Sequence, residues 1–188
     1  MIIGVTGFLA SGKGVFSNIL KQKGFIVYSC SDEIREECKI RNIELTRDNL
    51  QKIGNDLREK YGSNILAKRL VERIKQIGLD KNFVIESIRT PAEIQELKSL
   101  PNFVLVFIDA DSKTRYERAK QRLREKEHIS SYGEFLESER KEMESSDPNS
   151  QQLLKCKELS NFTIDNNGTL EDLRNQINLF LYSLQKNI

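Results

Sequence analysis

Residues Gly7 to Gly14 read G-x-x-x-x-G-K-G directly after an apolar run containing Ile2, Ile3 and Val5, and this pattern restricts the fold more than any other stretch. Gly7 and Gly12 let the backbone turn tightly, so that successive N–H groups converge inward on one anion. Ala10, Ser11, Gly12, Lys13, Gly14 and Val15 complete the candidate phosphate cradle. Lys13 is placed to reach the β- and γ-phosphates of a nucleotide, and the next helix turns its positive N-terminal end to the same charge. Val15, Phe16, Ile19 and Leu20 recur at helical spacing up to Gly24, so the required context of strand, loop, lysine and helix is present.

A chain of 188 residues suits one domain with a substantial core and leaves no room for a second full domain. No apolar run is long enough to span a bilayer. The N-terminus is already a strand, so no leader is expected ahead of it. The three cysteines, Cys30, Cys38 and Cys156, form no C-x-x-C pair and are accompanied by one histidine, His128. That set argues against structural zinc and fits small core or near-surface residues, rather than catalysts, in a reducing, cytoplasmic setting. With a net charge of +2, polyphosphate binding must come from a local basic cluster.

Short runs apolar on both faces alternate with longer helical patterns. After the first strand come 25–29 (FIVYS), 82–86 (NFVIE), 103–108 (FVLVFI) and 161–165 (NFTID). The alternation predicts right-handed βαβ crossovers in an α/β protein, a three-layer α/β/α P-loop fold with a five-stranded parallel sheet. Ligands of such sheets sit at the carboxyl ends of the strands. Two helical insertions are expected on this frame within the single domain 1–188. The first, about 46–78, breaks near Tyr61-Gly62 and is placed to cap an acceptor site. The second, about 118–147, is charge-rich, has the character of a lid, and ends at the turn signal Asp147-Pro148.

The polar residues of interest follow the strands. Asp32 and Arg35 lie three apart after the second strand, on one side of a helix. Asp32 would serve there either as a helix cap or as a site acid. Arg35 suits bidentate contact with phosphate or carboxylate. Glu86 closes the third strand beside the loop and is the candidate ligand, through water, for Mg²⁺, which takes few protein ligands. This matters because Gly14 removes the usual loop hydroxyl, Val15 cannot replace it, and Ser17 lies a turn too deep. Arg89, just past Glu86, either faces an anionic acceptor with Arg35 or pairs with Glu93 at i,i+4. Arg115, Arg118 and Arg122 recur at helical spacing and form either an exposed basic face or lid arginines for a transferring phosphoryl group, with Arg140 a further candidate. His128 is assigned no role. Asn166 and Gly168 lie in an Asn-Gly loop after the last strand, which either meets a nucleotide base or acts only as a turn and cap.

The front, GVTGFLASGKGVFSNILKQKGF, and the tail, SQQLLKCKELSNFTIDNNGTLEDLRNQI, resemble dephospho-coenzyme A kinase. The middle is similar to adenylate kinase and other nucleoside monophosphate kinases, through Gly7–Gly14, Asp32…Arg35, Glu86-Ser-Ile-Arg89 and Arg118…Arg122. The segments DEIREE and IRTPAE resemble a group of archaeal-type P-loop kinases lying between these branches. The chain departs from the pattern at Val15, at Glu86 and in lacking the proline of the nucleoside monophosphate kinase G-F-P-R.

These resemblances imply ATP- and Mg²⁺-dependent transfer to a small nucleotide-type acceptor. Lys13, Arg118 and Arg122 would act on the transferring group, and Arg35 and Arg89 would hold the acceptor. A phosphate acceptor is already ionised, whereas the hydroxyl of dephospho-coenzyme A has to lose a proton, which makes Asp32 the candidate base. The arginine pair favours a nucleoside monophosphate. A nucleotide-binding regulator or ATPase is the alternative from another class, supported by the missing loop hydroxyl. A nucleic-acid partner is not expected, because no aromatic-basic platform is present; a monomer or homodimer is.

Overall fold

The computed structural model describes residues 1–121, 131–147 and 149–186. Strand β1 (Ile2–Gly7) is buried along its whole length, and its alternating side chains divide the interior in two. Ile2 joins one core with Phe83, Ile85 and Leu105. Ile3 and Val5 join the other with Val84, Val106 and Ile108. Period-two alternation with both faces covered is what makes parallel strands read as continuous apolar runs. The remaining strands are β2 (Ile26–Ser29), β3 (Phe83–Glu86), β4 (Phe103–Asp109) and β5 (Phe162–Asp165). All pair in parallel, in the order β2-β3-β1-β4-β5. The chain runs from β1 out to β2, returns through β3 and crosses to β4 on the far side. That reversal opens a crevice at the carboxyl ends of the central strands.

The helices among the described residues are α1 (Lys13–Gln22), α2 (Cys30–Ile40), α3 (Arg47–Tyr61), α4 (Ile65–Ile77), α5 (Pro91–Leu97), α6 (Ser112–Gln121), α7 (Tyr132–Met143), α8 (Leu153–Glu158) and α9 (Leu170–Lys186). Phe16, Ile19 and Leu20 of α1 and Leu173, Ile177 and Phe180 of α9 cover the Val5 face. Helices α2 to α5 and α8 cover the other through Cys38, Leu57, Leu70, Ile94 and Cys156. The expected three-layer α/β/α arrangement is present. No described helix is long and apolar enough to cross a membrane.

Boundaries move by a residue where local hydrogen bonds compete with the ladder. Phe25 falls outside β2 because its N–H closes α1 onto the Leu20 carbonyl, across Gly24 at φ +90°. Asn161 precedes β5 and meets the Leu105 backbone with both its own N–H and its side-chain oxygen. Within 46–78, the break falls at Gly62, with φ +101°. Helix α4 buries Leu66, Leu70, Val71 and Ile74 and so belongs to the sheet's helical layer; α3 is the part that reaches the crevice.

A buried ion pair fixes α3. Arg58 and Glu93, 2 % and 0 % exposed, meet at 2.9 Å. The same Glu93 closes the capping box of α5, with the Thr90 hydroxyl accepting from the Glu93 N–H and Glu93 Oε2 accepting from the Thr90 N–H. All three cysteines are buried and free, as core residues should be. Glu93→Ala leaves Arg58 buried without its counter-ion and removes the side-chain half of the capping box. We expect it to destabilise the fold by about 3–5 kcal/mol, read as a lowered urea midpoint with an unchanged slope.

Candidate active site

The loop between β1 and α1 is held in a conformation that most side chains resist. Gly7 and Gly12 have φ +148° and +103°, and Ala10 is left-handed at φ +56° despite its Cβ. Close approach also demands glycine. A Cβ on Gly12 would lie 2.1 Å from Asn166 Nδ2, and one on Gly7 would lie 2.3 Å from the Ile108 carbonyl oxygen. No side chain caps α1, so its first N–H groups open onto the crevice with the loop amides. Lys13 Nζ donates to the carbonyls of Gly7 at 2.8 Å and Phe8 at 2.6 Å, which holds the ammonium over the loop.

The crevice has a volume of about 590 Å³ and brings together Ala10, Gly12, Lys13 and Gly14 with Asp32, Arg35, Glu86 and Arg89. Gly7, Ser11 and Val15 do not line it. Gly7 and Ser11 are buried in the loop, and Val15 faces outward at 38 % exposure. Nothing lies within 4 Å of a Cβ on Gly14, so the missing loop hydroxyl reflects no lack of space. Glu86 is half-buried and has no hydrogen-bond or ion-pair partner among the described residues. A lone carboxylate at the end of β3 fits Mg²⁺, which keeps most of its waters and is otherwise held by phosphate oxygens. Ser29 and Ser87 add hydroxyls 3.1 Å apart on the same wall. Ser87 is held at φ +61°, a strained conformation of the kind concentrated at functional sites.

Asp32 does not cap α2. Ser29 does, accepting from the Ser31 N–H, which leaves Asp32 in the crevice, 3.0 Å from Arg35. Arg89 and Glu93 are in contact, but not as a side-chain pair. The Arg89 backbone N–H donates to Glu93 Oε2, and its guanidinium Nη1 turns to Glu142 Oε2 at 3.2 Å and to Gln151 Oε1. Arg58 lines the crevice as well. Cys30 lies nearby at the start of α2, and burial, reinforced by Glu93, pushes its thiol well above the ordinary range, so it is no nucleophile.

The arginine stripe after β4 divides. Arg115 is not part of a basic surface. It is buried, pairs with Glu139, and its guanidinium sits 4.9 Å over the Phe8 ring of the loop. Burial lowers its pKa, which Asp109 partly restores. Arg118 is half-buried and its Nη1 has no hydrogen-bond partner among the described residues; its neighbour Ala119 lines the crevice. Arg140 is exposed. Arg122 and His128 lie outside the described residues. Asn166 is buried and reaches the site from beneath, its Nδ2 donating to the Ser11 carbonyl at 2.8 Å. Gly168 sits exposed beside Asp172, in the turn before α9. Neither lines the crevice.

The sequence reading did not single out Arg58, Gln51, Glu142 or Gln151, which line the crevice with Ile34, Leu45 and Leu50. Arg58 carries a signal in retrospect, since an arginine on an otherwise apolar helix face needs a buried acid. The others carry none, because their place depends on where α3, α7 and the segment leading into α8 dock.

The family model described as an AAA domain matches residues 3–145. A UPF0200 protein of Methanocaldococcus jannaschii is 30 % identical over 189 residues, covering 100 % of this chain and 92 % of that protein. The chain belongs to the UPF0200 family of AAA-domain proteins. A UPF0200/UPF0201 protein of Archaeoglobus fulgidus is 33 % identical over 190 residues, but the chain spans only 57 % of its length. Among solved structures, shikimate kinase from Acinetobacter baumannii in complex with shikimate matches with a TM-score of 0.54 at 15 % identity, over 99 % of this chain and 93 % of that one. The fold is that of the P-loop kinases.

Gly12→Ala should weaken ATP binding by roughly tenfold or more, since a left-handed alanine costs about 1–2 kcal/mol before the contact with Asn166 is relieved. Titration with a fluorescent ATP analogue checks this. Adding Asn166→Ala should recover only the steric part.

Proposed function

We propose that this protein transfers the γ-phosphoryl group of ATP to a small nucleotide-type acceptor, most simply a (deoxy)nucleoside monophosphate. One observation carries the reading: Lys13 and the loop share a single crevice with Arg35, Arg89 and Glu86. A protein that only binds or hydrolyses ATP has no need of an arginine-lined pocket facing its phosphate loop.

The loop amides and Lys13 hold the β- and γ-phosphates. Glu86 would hold Mg²⁺ through water, and the ion would supply neutralising charge to the donor phosphates. Arg35 and Arg89 hold the acceptor phosphate with the transferring group in reach. Ile34, Leu45 and Leu50 give the acceptor's base an apolar wall, and Gln51 an amide to meet its edge. Arg118 and Arg122 are the lid arginines that neutralise charge as transfer proceeds. An ionised acceptor phosphate needs no base.

A second reading rests on Asp32. Its carboxylate lines the same crevice, and a hydroxyl acceptor such as dephospho-coenzyme A would give its proton to this group. ADP release measured with Mg-ATP against all nucleoside monophosphates and dephospho-coenzyme A separates the two. Stimulation by a monophosphate supports the first reading, and stimulation by dephospho-coenzyme A alone supports the second. A basal rate that none of them raises refutes both and favours an ATPase or regulator.

With the acceptor identified, Lys13→Ala should lower turnover by on the order of a hundredfold or more. Arg89→Ala should raise the KM for the acceptor far more than that for ATP. Equal increases would assign Arg89 to the donor or to the fold.

A further inference from the structure

Arg89 is not simply an open cation. Its Nη1 is shared between Glu142 Oε2 and Gln151 Oε1, while its Nε and Nη2 have no partner among the described residues. That second edge is the one that grips an oxyanion with two parallel hydrogen bonds. Glu142 is 7 % exposed at its side chain against 27 % for Arg89, and both line the crevice together with Gln151. A largely buried carboxylate beside the guanidinium that meets the acceptor anion cancels part of the charge the anion would feel, and in a pocket wall such charges are poorly screened.

Two features suit this contact to a displaceable counter-ion. Glu139, three residues earlier on α7, is itself 1 % exposed and anchored to Arg115, which fixes the stretch of helix that carries Glu142 beside Arg89. The Glu142 contact, at 3.2 Å, is also longer than a strong charge-assisted pair of about 2.7–2.9 Å, so it yields readily to a competing oxyanion.

We propose that Glu142 is a built-in counter-anion for Arg89 that sets how strongly the crevice holds an acceptor phosphate. It keeps the arginine compensated in the empty site, and the acceptor anion must compete with it for the guanidinium charge. The inference rests on the reading of Arg89 as an acceptor residue. Glu142 is thus a specificity-determining residue that weakens acceptor binding, which is the opposite sign from a residue that merely orients Arg89.

The test is calorimetric titration of inorganic phosphate into the full chain. Glu142→Gln keeps a hydrogen-bond acceptor for Nη1 and removes the charge, so phosphate should bind about tenfold tighter than to the wild-type protein. The gain should vanish when Arg89→Met is added, a cycle that cancels the unchanged contribution of the phosphate loop. Gln151→Glu, which adds a second carboxylate at Nη1, should weaken phosphate binding by a similar factor and serves as an independent variant. Unchanged or weaker binding in Glu142→Gln overturns the proposal, as does a gain that survives the loss of Arg89. Parallel titrations with the full set of nucleoside monophosphates separate this inference from the proposed function: the phosphate effect with no monophosphate bound would remove the nucleotide acceptor and leave the role of Glu142 standing.

Discussion

The carboxylate of Glu93 is the contact around which the acceptor side of the molecule is organised. One of its oxygens takes the Nε and Nη2 groups of Arg58, and the other takes the backbone N–H groups of Arg89 and Thr90. It therefore joins α3, the turn after β3 and the start of α5 at a fully buried point. Such a centre is worth little as net stabilisation, because desolvating the charges offsets most of their attraction. Its consequence is positional. With every lone pair engaged, the turn carrying Ser87 and Arg89 has one permitted course, and strain such as the left-handed Ser87 is over-determined by its surroundings.

The donor side is fixed by different physics. There the backbone itself is the ligand, and what must be guaranteed is its path. Gly7 and Gly12 permit that path by having no Cβ where Ile108 and Asn166 approach, and the Asn166 amide then ties Ser11 to the end of β5. Phe8 faces away from the crevice onto Phe107 and Arg115. Through Arg115 and Glu139 the loop is linked to α7, and through Glu142 the same helix reaches Arg89. One helix thus grips both halves of the site.

The donor half was readable in the sequence because its residues are local. Most of its residues fall in one loop with a strand before it and a helix after it, and Glu86 is marked by ending a buried strand. The acceptor half was readable only in part. Arg35 and Arg89 follow strand ends, but Arg58 lies mid-helix, and Glu142 lies in a charge-rich run whose members look alike until α7 docks. Arg115 shows the limit most clearly. At helical spacing with Arg118 it reads as a surface stripe, yet it is the member turned inward onto Phe8 and Glu139.

By itself the sequence determined the class of fold, the five strands to within a residue or so at their ends, and the phosphate loop, since each depends on periodicity and on contacts within a few residues. Tertiary structure alone decided which charges are spent on one another and which remain for a ligand. Arg58 is committed to Glu93, Arg115 to Glu139, and Arg89 is shared between a carboxylate and an amide, while Glu86 has no partner among the described residues. The physical reason is that an ion pair is set by the distance between side chains brought from 24 to 53 residues apart, a separation along which the sequence carries no periodic signal.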